Sequence, residues 1–139
     1  MRTSGLEIKV TLRRPAAAWR IPFQKISEAI LGSRYELSLV ICGDSLAQKM
    51  NKLYRKKNYR PNVLSFPIGK ADGEIFLNVR CAQREARRFG VGLNERLALL
   101  FVHGCFHLKG LSHGRIMEAH ERRVLRRFGF SWHGESIQE

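Results

Sequence analysis

Residues 94–113 read NERLALLFVHGCFHLKGLSH, and this stretch decides the architecture. From Leu97 to Val102 every residue is apolar. A helix here is apolar on most faces, so it is expected to be the buried central helix. The spacing predicts that it starts at Asn94, a capping residue type, and runs to about Leu108. Gly110 follows where the chain must reverse.

Working outward, Leu6, Ile8, Val10 and Leu12 alternate and predict a strand over 5–12. Ile21, Phe23, Ile26 and Ile30 have helical spacing over 21–31, closed by Gly32. Tyr35, Leu37, Leu39 and Ile41 form one face of a strand over 35–41. Asp44 or Ser45 can cap a helix carrying Leu46, Met50, Leu53 and Tyr54 that frays near Asn58. Pro61 enforces an extended chain into residues 63–66, stopped by Pro67. Gly69 and Asp72-Gly73 mark a turn before a strand over 74–77. An Arg-rich helix over 79–89 ends at Gly90, a last helix over 115–128 ends at Gly129, and 131–139 reads as a loose tail. The expectation is a mixed α/β (α+β) fold, one domain over 1–139, with a four-stranded sheet and five helices.

The chain has 139 residues, a size that suits one hydrophobic core. It carries 25 Lys+Arg against 12 Asp+Glu, a formal net charge of +13. Such a surface points to polyanionic partners, nucleic acid or an anionic membrane. No apolar run reaches the roughly 18 residues that span a bilayer. The N-terminus has no secretory h-region. Arg2, Arg13, Arg14 and Arg20 hint at a transit peptide, but the alternation from Leu6 to Leu12 argues for a strand instead. Cys42, Cys81 and Cys105 are an odd number without a CxxC pair and read as reduced thiols, which suits a cytoplasmic protein.

His103 and His107 are four apart, so on a helix both imidazoles leave one face. That separation lets two nitrogens reach one metal ion. Such a pair is often incidental, but this one sits in an apolar helix, where two unpartnered imidazoles would be costly. Past Gly110, His113 can swing back to complete H-x3-H-x2-G-x2-H, the spacing of a metzincin zinc site. Three neutral imidazoles with an open fourth position make a catalytic type of site. His120 and His133 read as solvated, and Cys105 as a small core residue. Peptidases with H-E-x-x-H use the Glu as general base. Here Gly104 holds that place, which disfavours a zincin peptidase and turns attention to arginine acting on a phosphodiester.

Residues 54–60, YRKKNYR, interleave four cations with two tyrosines. They suit phosphates plus base stacking on single-stranded nucleic acid, and equally a solvated basic helix end. Arg84, Arg87 and Arg88, then Arg122, Arg123, Arg126 and Arg127, read mostly as solvated faces, with Glu85, Glu118 and Glu121 as occasional partners.

HGCFHLKGLSH resembles the H-G-x-x-H-L-x-G-x-x-H signature of the YbeY family of bacterial rRNA maturation factors, which are metal-dependent endoribonucleases. YRKKNYRPNVLSFP is similar to the family's Y-R-x-K-D-x-P-T-D-V-L-S-F-P segment, and Gly73–Leu77 to its G-D-I-x-I strand. Met117-Glu118 and Glu121 fall where the family has M-E-x-x-E. The resemblance covers roughly 35–130 and implies a mixed α/β fold with the metal site in a channel beside the sheet. It implies that His103, His107 and His113 bind one metal, zinc by usual assignment, with Ni2+ or another divalent ion also suited to imidazole. It further implies that Arg55 is required for RNA cleavage, and that the substrate is ribosomal RNA, notably the 3′ end of the small-subunit RNA. Lys56, Lys57, Tyr59 and Arg60 are the expected RNA-binding residues, and ribosomes or assembly factors the expected partners, with no membrane. The sequence departs from the family pattern at Asn58, Asn62 and Ser112, each in place of Asp, and at Phe106 in place of Leu. Each lost Asp removes an acceptor that can orient a ligand imidazole.

The leading reading is a metal-dependent, single-strand endoribonuclease of rRNA processing and ribosome quality control. The alternatives are a non-catalytic, metal-stabilised RNA-binding assembly factor and, behind it, a metallopeptidase.

Overall fold

Leu37, Leu39 and Ile41 alternate with Ser38, Val40 and Cys42, so one strand can bury both faces between helical layers. The computed structural model, which describes residues 5–13 and 19–133, places them so. In chain order the elements are β1 (Leu6–Val10), α1 (Phe23–Leu31), β2 (Glu36–Cys42), α2 (Asp44–Arg55), β3 (Val63–Gly69), β4 (Asp72–Asn78), α3 (Val79–Phe89), α4 (Leu93–Leu108) and α5 (Arg115–Arg127). The sheet order is β1-β2-β4-β3. β1 and β4 pair parallel with β2, and β3 pairs antiparallel with β4 at the edge. Four strands in a mixed sheet and five helices were legible in the sequence.

On one face, Leu37, Leu39, Ile41, Val63, Ile75 and Leu77 join α1, α3, α4 and α5 in the main core. On the other, Val40, Cys42, Leu64 and Phe76 pack with Ala47 of α2. Leu97 through Val102 and Cys105 of α4 are buried, as the apolar run requires. Each Leu or Phe taken fully out of water there contributes on the order of 1.5–3 kcal/mol. All three cysteines are free and buried. Burial pushes the Cys42 thiol up to about 12 and, with Glu85 adding, that of Cys81 up to about 11, so both are inert.

Several local expectations change. The N-cap of α2 is Gly43, not Asp44 or Ser45. The Asp44 carboxylate instead accepts from Arg84 at 2.7 and 2.9 Å and from Asn78 at 3.0 Å. The Arg84 hydrogen bond holds its pKa below the usual carboxylate range. The N-cap of α4 is Gly92, so Asn94 lies inside the first turn. Asn78 does cap, accepting from the Cys81 N–H at 3.1 Å. Pro67 does not stop β3, which runs to Gly69 with a register shift, because an edge strand tolerates proline.

Ile8 is 36 % exposed, while Leu6, Val10 and Leu12 pack on the core. Residues 131–133 are not loose. Trp132 packs on the core, the Ser131 N–H donates to Glu95 at 2.8 Å, and the His133 carbonyl accepts from Arg96 at 3.4 Å. The rest of the expected tail, 134–139, lies outside the described residues, as do Arg2 and Arg14. Among the described residues, no helix is long and apolar enough to cross a membrane.

Candidate metal centre

α4 carries His103 and His107 one turn apart and ends at Leu108. Gly110 then takes φ 102°, a left-handed conformation that a side chain would strain. The reversal is closed by the Gly110 N–H to the His107 carbonyl at 2.9 Å and the Leu111 N–H to the Phe106 carbonyl at 3.0 Å. His113 is thereby returned to the other two. Ring centroids lie 4.6 Å (His103–His107), 4.7 Å (His103–His113) and 4.9 Å (His107–His113) apart. One ligand-type nitrogen from each falls within 4.8 Å of the others. His103 is buried, His107 half-buried and His113 exposed, so the cluster opens to solvent at His113. A cavity of about 490 Å³ adjoins it there, lined by residues 111–117.

The rings of His103 and His107 are each held by their second nitrogen. His103 Nδ1 faces Glu121 Oε2 at 2.5 Å, where the carboxylate accepts. His107 Nδ1 donates to the Leu111 carbonyl at 3.1 Å. A carbonyl only accepts, so the His107 proton sits on Nδ1 and its Nε2 presents a lone pair. His103 Nε2 is buried and has no hydrogen-bond partner among the described residues. An orphaned imidazole nitrogen is expensive in a core and suited to a metal. The carboxylate–imidazole pair behind it is the usual support of a metal-binding histidine. The donor set therefore fits a divalent first-row ion.

Electrostatics agree. Burial, then the neighbouring His103 and His113, push His107 down to about 4, so it stays neutral and able to ligate at physiological pH. In metal-free protein the unfolded chain takes up this proton near the ordinary 6.5, whereas the folded chain refuses it until about 4. Between these values the unfolded state binds more protons, so stability falls as pH falls. The melting temperature of the chelated protein is expected to drop from pH 6.5 to 4.5, and to drop less in His107→Gln. Equal slopes for the two proteins would contradict this.

Gly104 belongs to the packing rather than to the cluster. A Cβ there would lie 3.2 Å from Ile75 Cδ1 and 3.4 Å from Val63 Cγ2. The position faces the sheet, so it is glycine for close helix–sheet approach. A peptidase-type glutamate at 104 would point into the core.

Arg55 ends α2, on the opposite sheet face from α4. It is half-buried and donates from Nη1 to the Tyr59 hydroxyl at 3.4 Å, not to the histidines. Lys56 takes φ 57° and turns the chain back along α2. Side-chain amides pin the return: Asn51 to the Tyr59 carbonyl at 3.1 Å, Gln48 to that of Asn58 at 3.0 Å, and Asn78 to that of Pro61 at 3.0 Å. Lys56, Lys57, Tyr59 and Arg60 are exposed on this ordered loop. The structure thus brings the three histidines together, and Arg55 and Tyr59 are joined on the basic loop.

A protein-family model described as Endoribonuclease YbeY matches residues 9–129. The chain belongs to the YbeY endoribonuclease family. It is 34% identical over 125 residues to "Endoribonuclease YbeY" of Geobacter sulfurreducens, covering 81% of this chain and 82% of that protein. It is 33% identical over 133 residues to "Endoribonuclease YbeY" of Stutzerimonas stutzeri, covering 88% and 81%. The solution structure of a Thermotoga maritima protein superposes with a TM-score of 0.62 at 18% identity, covering 85% of this chain and 86% of that one, and shares the fold.

The departures from the YbeY pattern do not touch the hydrogen bonds that support His103 and His107. The acceptors behind His103 and His107 are Glu121 and the Leu111 carbonyl, whereas Ser112 and Asn58 are exposed. Asn62 is buried and donates to both oxygens of Glu85, at 3.1 and 3.2 Å. Phe106 is buried, and its ring lies 5.5 Å from that of His120, which is half-buried rather than solvated. His133 is also half-buried.

Glu85 and Glu121, read from sequence as surface partners of arginine, are 4 % and 2 % exposed. The signal was present. Met117, Glu121 and Leu125 share the buried stripe of α5, and Glu85 lies in the stripe with Cys81, Ala82 and Ala86. A carboxylate on an apolar stripe needs a buried partner.

Proposed function

We propose that this chain is a metal-dependent endoribonuclease for single-stranded RNA, one hydrolase domain over 1–139. His103, His107 and His113 hold a single divalent ion, Arg55 is the catalytic group, and Lys56, Lys57, Tyr59 and Arg60 bind RNA. The observation that carries the reading is the three-histidine cluster with a buried, unpartnered His103 Nε2, in a chain of net charge +13. Family membership supplies the reaction class. Zinc is the proposed ion, though imidazole suits Ni2+ as well. The proposed substrate is ribosomal RNA, the 3′ end of the small-subunit RNA in particular, with the ribosome or its assembly factors as partners in the cytoplasm.

A divalent ion in this site supplies Lewis acidity towards water or a phosphoryl oxygen. The chain's own residues do the rest. Glu121 and the Leu111 carbonyl fix the imidazoles so that Nε2 of His103 and His107 is available. The exposed tyrosines and cations of 54–60 offer stacking faces and charge to a flexible strand. The Arg55 guanidinium carries a positive charge that can meet the negative charge developing on a phosphodiester.

Arg55→Ala is expected to lower cleavage of a single-stranded RNA by about a hundredfold while leaving the metal content unchanged. An unpaired strand should be cut in preference to a duplex. Cleavage by Arg55→Ala at the wild-type rate would remove Arg55 from the mechanism. The rival reading is a non-catalytic assembly factor, in which Arg55 serves only its hydrogen bond to the Tyr59 hydroxyl. That reading predicts RNA binding without scission in every preparation.

A further inference from the structure

Glu121 does not stand alone behind His103. Its Oε2 accepts from His103 Nδ1, and its Oε1 accepts from the Trp132 indole N–H at 3.3 Å. Trp132 is held on several sides. The Arg122 guanidinium carbon lies 3.9 Å from the indole centroid, a stacked cation–π contact. The preceding residue is tied by its N–H to Glu95, and the following one by its carbonyl to Arg96. Glu121, His103 and Trp132 therefore form one chain of hydrogen bonds from the C-terminal segment into the histidine cluster.

From this geometry we infer that Trp132 is a positioning residue for the metal centre: its indole N–H fixes the Glu121 carboxylate in the rotamer that aims His103 Nε2 at the bound ion. The inference rests on the three-histidine metal reading. A glutamate side chain has two carboxylate oxygens and three torsions, so one hydrogen bond to His103 does not by itself fix its rotamer. Anchoring the second oxygen removes that freedom before metal arrives, which is preorganisation of a ligand through its support. A free-hanging tail would not do this, and the Ser131 and His133 contacts explain why these residues are held.

The test is a Zn2+ affinity measurement by competition with a chromophoric chelator, on wild type, Trp132→Phe, Glu121→Ala and the double variant. Phe keeps the apolar ring and removes only the N–H. Outer contacts to metal ligands are worth about 10–100-fold in affinity, and one contact further out should be worth about three- to tenfold. Trp132→Phe is thus expected to weaken Zn2+ by that factor. In the Glu121→Ala background the same substitution is expected to change nothing, a non-additivity that mere packing would not produce. Wild-type protein gives a second readout that needs no variant to fold. One of the two indole N–H resonances should shift as Zn2+ is added to one equivalent.

Unchanged affinity in Trp132→Phe, or two indole signals indifferent to Zn2+, would overturn the inference while leaving the metal site in place. No Zn2+ binding by wild type would overturn both.

Discussion

Glu85→Ala is expected to destabilise the fold by about 3–5 kcal/mol. The Glu85 and Arg96 side chains are 5% and 0% exposed, and Arg96 Nε donates to Glu85 Oε1 at 3.0 Å. The same carboxylate accepts from Asn62 at both oxygens. Removing it takes the buried carboxylate from a guanidinium deep in the protein, and the His133 carbonyl at 3.4 Å and the ring of Phe89 at 5.0 Å are weaker partners than that carboxylate. Domains of this size have about 5–15 kcal/mol in total, so the loss is a large fraction. Urea unfolding of wild type and variant measures it directly. A difference under about 1 kcal/mol, the size expected of an exposed pair, would show that the pair is solvated in solution.

The second large effect concerns the cluster. In His103→Ala/His107→Ala the bound metal is expected to fall from about one per chain to background. Cleavage is expected to fall about a thousandfold or more, since losing several kcal/mol of charge stabilisation costs a factor of ten per 1.36 kcal/mol. His103→Ala also deprives the buried Glu121 of its imidazole, so His107→Ala alone, at a half-buried position, controls for damage to the fold. Chelation should lower the melting temperature of wild type and leave the double variant unmoved, because only a bound ion adds stability by mass action. Full metal content in the double variant would place the ion elsewhere.

Much of this was legible in the sequence because the deciding signals are local. The apolar run Leu97–Val102 points to a buried helix, and the alternation at Leu37, Leu39 and Ile41 to a strand with a buried face. His103, His107, Gly110 and His113 announce themselves by spacing alone. What escaped depends on contacts between distant residues. Asp44 looked like a helix cap, but Arg84 and Asn78 claim its carboxylate across the fold. Pro67 looked like a strand terminator, yet its strand lies at the sheet edge. Glu121 and Trp132 show no sign of each other in sequence, because their pairing needs the chain to fold back after Gly129. Arg55 was placed by resemblance, and the structure sets it at the end of α2, across the sheet from α4.

The central claim is that a metal held by His103, His107 and His113 makes this chain an RNA-cleaving enzyme. The most direct test strips the purified protein with a chelator, adds Zn2+ back in fractions of an equivalent, and follows scission of a single-stranded RNA on a gel. Scission should be absent at the start, rise in proportion to bound Zn2+, and saturate at one ion per chain. If the protein takes up one Zn2+ per chain and the RNA stays intact, the chain holds its metal for another purpose and the endoribonuclease reading is wrong.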